Sequence, residues 1–163
     1  PSAVVSNHLL DSLAALPFIK AAKVLDVGSG AGLPGLVVAI ARPEVSVTLL
    51  DANNKKAAFL QQAVANLALP NARVVCTRVE TWRPGEFFPA IVSRAFAALK
   101  DFIAGTKELL APGGRFYAMK GQYPADEIAQ LPRGFRVVDV VSLEVPGLAA
   151  RRHLVIVEEE HVR

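Results

Sequence analysis

Cysteine is almost missing from this chain: Cys76 is the only one among 163 residues. One thiol excludes an internal disulfide and a cysteine metal cluster, so no metal is expected, and it fits a reducing, cytoplasmic setting. No apolar run reaches the roughly 18 residues that span a bilayer. The opening PSAVV is neither a basic n-region nor a signal core, and no membrane partner is expected. Repeats and low-complexity tracts are absent as well. Charge of one sign is in only slight excess, 18 Lys and Arg against 15 Asp and Glu, for a net +3. With a sequence pI of about 9.3, that balance permits a nucleic-acid partner without demanding one. What is abundant is apolar side chain, 52% of residues, with a mean hydropathy of +0.35. A chain of this length buries about 70% of its unfolded surface. A single domain over residues 1–163 with a well-filled core is therefore expected.

Val24 to Gly35 reads VLDVGSGAGLPG: apolar residues bracket Asp26, and glycine falls at 28, 30, 32 and 35. The pattern predicts a buried strand turning tightly into a helix. Glycine suits the turn because positive φ costs nothing without a Cβ and a ligand can approach the backbone. Pro34 falls at the first helical position, where its missing N–H is harmless. The remaining free N–H groups suit an anionic or strongly polar group. A second apolar run, Val47 to Leu50, ends on Asp51. That lies about 20 residues past the glycines, where a nucleotide-binding βαβ unit keeps the carboxylate for its ribose. An adenosine-containing ligand is implied.

The glycines satisfy two patterns at once. Gly30, Gly32 and Gly35 fit the G-x-G-x-x-G of dinucleotide sites, whereas Asp26, Gly28, Gly30 and Gly32 fit the D-x-G-x-G-x-G of S-adenosylmethionine-dependent methyltransferases. The register favours the second. An acid two residues before the first glycine suits the cationic methionine ammonium, where a dinucleotide site usually keeps an apolar residue.

Along the chain, Pro1 to Ile19 is helical in pattern, with Leu9, Leu10, Leu13 and Leu16 as one apolar face ended by Pro17. His8 and Asp11 read as a surface pair. Strands are expected over Lys23–Val27, Ser46–Leu50, Arg73–Cys76, Ala90–Ser93 and Arg115–Met119. Helices are expected over Gly35–Ala41, Asn53–Leu67, Ala98–Leu110 and Ala125–Leu131. The helix at Asn53 should bury Ala57, Leu60, Val64 and Leu67 and leave Lys55 and Lys56 outside. Pro112-Gly113-Gly114 should stop the helix before it. Phe135–Val145 and His153–Glu158 have no helix between them and should close the sheet as an antiparallel pair around Pro146 to Ala150. The fold class is α/β, a Rossmann-like methyltransferase fold with a seven-stranded mixed sheet and helices on both faces. Cys76 reads as buried filler and Glu158 to Glu160 as a solvated tail.

Ser93-Arg94-Ala95-Phe96 ends the fourth strand, where many methyltransferases face the reacting atom. Asn-Pro-Pro-aromatic, the mark of an exocyclic amine acceptor, is absent there, as is a cysteine for pyrimidine carbon. Ring nitrogens such as guanine N7, ribose oxygens and small molecules remain. Basic residues fall on loops that follow strands: Arg78 and Arg83, Arg94 and Lys100, Lys120, then Arg151, Arg152 and His153 before the last strand. Together they favour a phosphate-bearing acceptor. Trp82 and Phe96 could stack on a base. On the residues alone, a methyltransferase for another acceptor and a non-catalytic nucleotide-binding module stay open.

The runs LLDSL, LDVGSGAGLPG, LLDANNKKAAFL, TRVE, SRAFAALKDF, GGRFYAMKGQ and VPGLAARRHLVI cover essentially the whole chain in order. They resemble the bacterial small-subunit ribosomal RNA guanine-N7 methyltransferases, historically called glucose-inhibited division protein B. The resemblance implies S-adenosylmethionine as cofactor and 16S ribosomal RNA, in the context of the 30S subunit, as partner of a cytoplasmic monomer. Cofactor positions of the family match Gly28, Leu33, Val79, Glu80 and Arg94, beside the Asp26, Gly30 and Asp51 read above. Arg78, Lys120 and Arg152 match positions associated with RNA or the reaction, which leaves Arg94, Lys120 and Arg152 as the expected catalytic set. Family members carry further helices before the segment matching His8, so an amino-terminal portion is expected to be missing here. Asn7 stands where arginine is common.

Overall fold

The computed structural model describes residues 2–30, 32–94, 98–144 and 152–160, with backbone alone over 2–8. Seven strands form one sheet in the order β3-β2-β1-β4-β5-β7-β6. They are β1 (Lys23–Val27), β2 (Ser46–Asp51), β3 (Ala72–Cys76), β4 (Phe88–Ser93), β5 (Leu110–Lys120), β6 (Phe135–Leu143) and β7 (Arg152–Glu159). The first five run parallel, and β7 lies antiparallel between β5 and β6. The helices are α1 (Ser2–Ala15), α2 (Gly35–Ala41), α3 (Asn54–Asn66), α4 (Leu99–Thr106) and α5 (Ala125–Ala129). The mixed sheet and its closing antiparallel pair are as the sequence pattern predicts; the connection at Pro146 to Ala150 lies outside the described residues.

The central strands are mainly apolar because both faces are covered. Side chains alternate between two core clusters with the strand period of two. Val24, Val47, Leu49, Ala90, Val92, Tyr117, Leu154 and Ile156 pack in one cluster with α1, α2 and α3. Leu25, Val27, Leu50, Ile91, Phe116, Val155 and Val157 pack in the other with α4. Strand order reverses between β1 and β4, and the carboxyl ends of these strands at such a switch point form the ligand crevice of an open α/β sheet.

Several expectations are corrected by packing. The fourth helix stops at Thr106 and a 3-10 turn over Lys107–Leu109 leads directly into β5. Phe88 pairs with Leu110 and Ala90 with Arg115, so residues 111–114 bulge out of the ladder rather than ending a helix. A bulge accepts a proline that cannot donate and a glycine at φ +76. Of the expected leucine face, Leu16, in the 3-10 turn that follows α1, is buried, but Leu9, Leu10 and Leu13 are exposed, and α1 buries Asp11, Ser12 and Ala15 instead. Leu67 lies exposed at the end of α3, although Ala57 and Leu60 are buried as expected. Cys76 is exposed, not buried, with its thiol 3.2 Å from Asn54 Oδ1. Glu158 is no tail residue: it lies on β7, ion-paired to Arg115 and Arg136. Trp82 stacks on Phe88 at 5.9 Å between ring centroids, which makes it core packing rather than a platform for a base.

Candidate active site

The loop after β1 is organised by two carboxylates. Asp26 is fully buried; its Oδ2 accepts hydrogen bonds from Ser29 Oγ (2.8 Å) and from the backbone N–H of Gly35 (2.7 Å). Helix α2 therefore begins at Gly35, with Pro34 as the capping residue one position earlier than expected. The first N–H of that helix is taken by Asp26 and is not left for an anion. Gly35 is required by packing, since a Cβ there would stand 2.3 Å from Leu49 Cδ2 and 2.6 Å from Asp26 Oδ2. Gly28 and Gly30 do make the turn, at φ +72 and +51. Burial pushes the Asp26 carboxyl up to about 6 against the opposing pull of Ser29 and Gly35. Its second oxygen, Oδ1, is buried with no hydrogen bond among the described residues.

Asp51 ties the same loop to β2. Its Oδ2 accepts from Gly30 N–H and its Oδ1 from Asn53 N–H, both at 2.9 Å. A carboxylate offers about four lone-pair sites, so two backbone donors leave acceptor capacity on each oxygen. Asp51 also lines a cleft of about 340 Å3 together with Val27, Gly28, Val79 and Glu80. These residues come from the ends of β1 and β2 and from the 3-10 turn at Val79–Thr81 after β3. The arrangement suits a nucleoside: positive-φ backbone on one side, a carboxylate for vicinal hydroxyls, and buried Val79 as an apolar wall for a base. The unpartnered Asp26 oxygen would complement a cation near the loop. These residues fit S-adenosylmethionine. Leu33, by contrast, packs half-buried against the first core cluster.

A second cavity, of about 310 Å3, is lined by Asp11, Arg94, Met119, Lys120, Gly121 and Arg152. The ends of β4 and β5 and the antiparallel start of β7 meet at this edge of the sheet, which brings Arg94, Lys120 and Arg152 together from distant sequence. Each is paired with a carboxylate. Arg94 and Arg152 both contact Asp11 Oδ2, at 3.3 and 3.0 Å, and Lys120 Nζ lies 2.8 Å from Glu127 Oε1. Burial draws the Arg94 pKa down while Asp11 holds it up. Asp11 is thus a buried anchor and no surface residue, and the side chain of His8 lies outside the described residues.

Among the described residues, Arg78, Arg83, Lys100 and His153 of the expected basic rim do not line this cavity. Arg78 lines the nucleoside cleft, and Arg83 donates to Trp82 O and faces Glu108. Lys100 is exposed on α4, and Arg151 and Phe96 lie outside the described residues. Sequence reading missed Asp11 and Glu127. Their sole signal was acids set beside apolar helical positions, which becomes informative only once their cationic partners are located.

The rRNA small subunit methyltransferase G family model matches residues 1–155. The ribosomal RNA small subunit methyltransferase G of Laribacter hongkongensis is 55% identical over 152 residues, covering 93% of this chain and 73% of the relative. That of Aromatoleum aromaticum is 56% identical over 160 residues, covering 95% and 76%. Among solved structures, the glycopeptide N-methyltransferase MtfA complexed with S-adenosyl-L-homocysteine superposes with a TM-score of 0.79 at 13% identity, over 94% of this chain and 87% of the other. TrmN from Thermus thermophilus gives 0.73 at 23% identity, over 91% of this chain and 48% of that one. The structural likenesses bear on the fold alone, a class I methyltransferase fold; the family model and the relatives, set on the site just described, place the chain in the rRNA small subunit methyltransferase G family.

Proposed function

We propose that this chain transfers the methyl group of S-adenosylmethionine to N7 of a guanosine in 16S ribosomal RNA, acting in the cytoplasm as a monomer on the 30S subunit. The observation that carries the reading is a pair of unlike cavities at the carboxyl ends of paired strands, an acid-lined nucleoside cleft at β1 and β2 and a cation-rich one at β4 and β5. Asp51 would hold the ribose hydroxyls, Val79 and Glu80 the adenine, Gly28 and Gly30 the close backbone approach, and Asp26 the positive end of the cofactor, with Leu33 supporting the loop from the core. Arg94 stands between cofactor and acceptor, and Lys120 and Arg152 face the RNA.

When bound, the cofactor supplies an electrophilic methyl on a sulfonium. Guanine N7 carries a lone pair and no proton, so the N–C bond forms as the S–C bond breaks and no proton is moved. The reaction asks for no general base. The chain's contribution is alignment of nucleophile, methyl and leaving sulfur, with the base unstacked to reach the site. The positive charge passes from sulfur to the methylated base, and the Asp26 and Asp51 carboxylates remain on the cofactor side throughout.

The test is transfer of radiolabel from S-adenosylmethionine to naked 16S rRNA and to assembled 30S subunits, with borohydride and aniline cleavage to locate N7-methylguanosine. Label in RNA that is resistant to that cleavage would reject N7, and no label in either RNA would reject the acceptor class.

A further inference from the structure

We infer that Asp11, on α1, is a positioning residue that aims Arg94 and Arg152 at the acceptor by holding both guanidinium groups on one carboxylate oxygen. The inference rests on the proposed reading of this cavity as the acceptor site. In the sheet, β5 separates β4 from β7. Arg94 follows the end of β4 and Arg152 opens β7, so the two lie on strands roughly 9–10 Å apart at ordinary strand spacing. Their guanidinium nitrogens nevertheless meet at Asp11 Oδ2, 3.3 and 3.0 Å away, in the cavity that Met119 and Lys120 line from the end of β5. A negative group between them offsets the repulsion of two like charges. Asp11 supplies that charge with a side chain that is 0% exposed, while the arginines remain 23% and 29% exposed to the cavity.

The arrangement is poor as a stabilising device. A buried carboxylate loses hydration that ion pairs seldom repay in full, and Asp11 Oδ1 is buried with no hydrogen bond among the described residues. A packed apolar residue would fasten α1 at least as well. What the carboxylate provides, and an apolar residue cannot, is a fixed direction for two cations at the mouth of the cavity. It also subtracts one charge from a basic site. Geometry and affinity are thereby separated: removal of the charge loosens the aim but leaves the cations more available to phosphate.

The test is Asp11→Asn, nearly the same shape without the charge, measured in the full chain. Methyl transfer to 30S subunits should fall in kcat by about tenfold or more. Affinity for 16S rRNA should hold or tighten, with a log–log salt slope steeper by about one unit. A purely structural role moves the melting temperature, RNA affinity and turnover down together, and that result would overturn the inference, as would unchanged kcat. If Asp11→Asn does not fold, Asp11→Glu keeps the charge and shifts it by one methylene. It should lower kcat at a wild-type salt slope, and full turnover by a folded Glu variant would equally sink the idea. Failure of the wild type to label any RNA would instead strike the proposed acceptor. The positioning role is then read on the salt slope with 16S rRNA alone, and a slope unaltered in Asp11→Asn rejects it.

Discussion

Replacing Asp51 by alanine tests the nucleoside cleft at its most loaded residue. The carboxylate accepts from Gly30 N–H and Asn53 N–H at 2.9 Å each, and it lines the cleft where a ribose would lie. Hydrogen bonds to a charged group contribute roughly 1.5–3 kcal/mol apiece. Losing the equivalent of one such bond to a ribose hydroxyl weakens binding by about 10- to 150-fold, since each 1.4 kcal/mol is tenfold. The same substitution leaves two backbone donors without their acceptor, so stability and loop order fall as well. Calorimetry with S-adenosylhomocysteine therefore needs a second ligand, the 2′-deoxy analogue, to form a thermodynamic cycle. In the wild type, removal of the 2′-hydroxyl should cost most of the expected factor; in Asp51→Ala it should cost little. Equal penalties in both proteins would show that Asp51 never touches the ribose and only braces the glycine loop. An unchanged affinity in a folded variant would refute both roles.

Other outcomes follow from the same geometry. Burial raises the Asp26 carboxyl to about 6, from 3.8 for a free aspartate. The folded state therefore holds its proton more tightly, and the stabilisation is complete below about pH 4 and lost as pH rises through 6. The difference corresponds to about 3 kcal/mol, so urea unfolding of wild type should lose stability over that window relative to Asp26→Asn; parallel curves would contradict the raised value. If the cofactor's ammonium meets Asp26, homocysteine-product affinity should also increase from pH 5 to pH 7. Lys120→Ala should keep that affinity and lose methyl transfer to 30S subunits, with a salt slope shallower by about one unit; lost cofactor binding would place Lys120 on the wrong side of the site. Gly35→Ala forces a Cβ against Leu49 and Asp26 and should destabilise by about 1–3 kcal/mol in thermal melts, whereas a neutral result would mean that the helix start shifts freely. Trp82→Ala should lower stability by roughly 2 kcal/mol, less than a fully buried ring, without altering RNA affinity of the folded fraction.

Local pattern by itself determined the strand–glycine–helix unit at Lys23–Ala41, the acid at the end of β2, the alternation of strands and helices, and the antiparallel closing pair. These are short-range properties: period, punctuation by glycine and proline, and fixed spacing within one βαβ unit. Sequence similarity carried Arg94, Lys120 and Arg152 as a set, but nothing in their spacing placed them in one cavity. Only the sheet order did, because β7 inserts between β5 and β6 and brings residue 152 beside residues 94 and 120. The same long-range closure decided which face of α1 is buried. Leucine periodicity pointed one way, and the docking of Ala14 and Ala15 on the first core cluster set another, which leaves Asp11 facing Arg94 and Arg152. Pro112 to Gly114 show the converse limit: the residues that break a helix also fit a strand bulge, and pairing with β4 selected the bulge. Asp26, read as a ligand for the cofactor's ammonium, proved first to be the acceptor that closes its own loop, a role fixed by the approach of Gly35 rather than by any local signal.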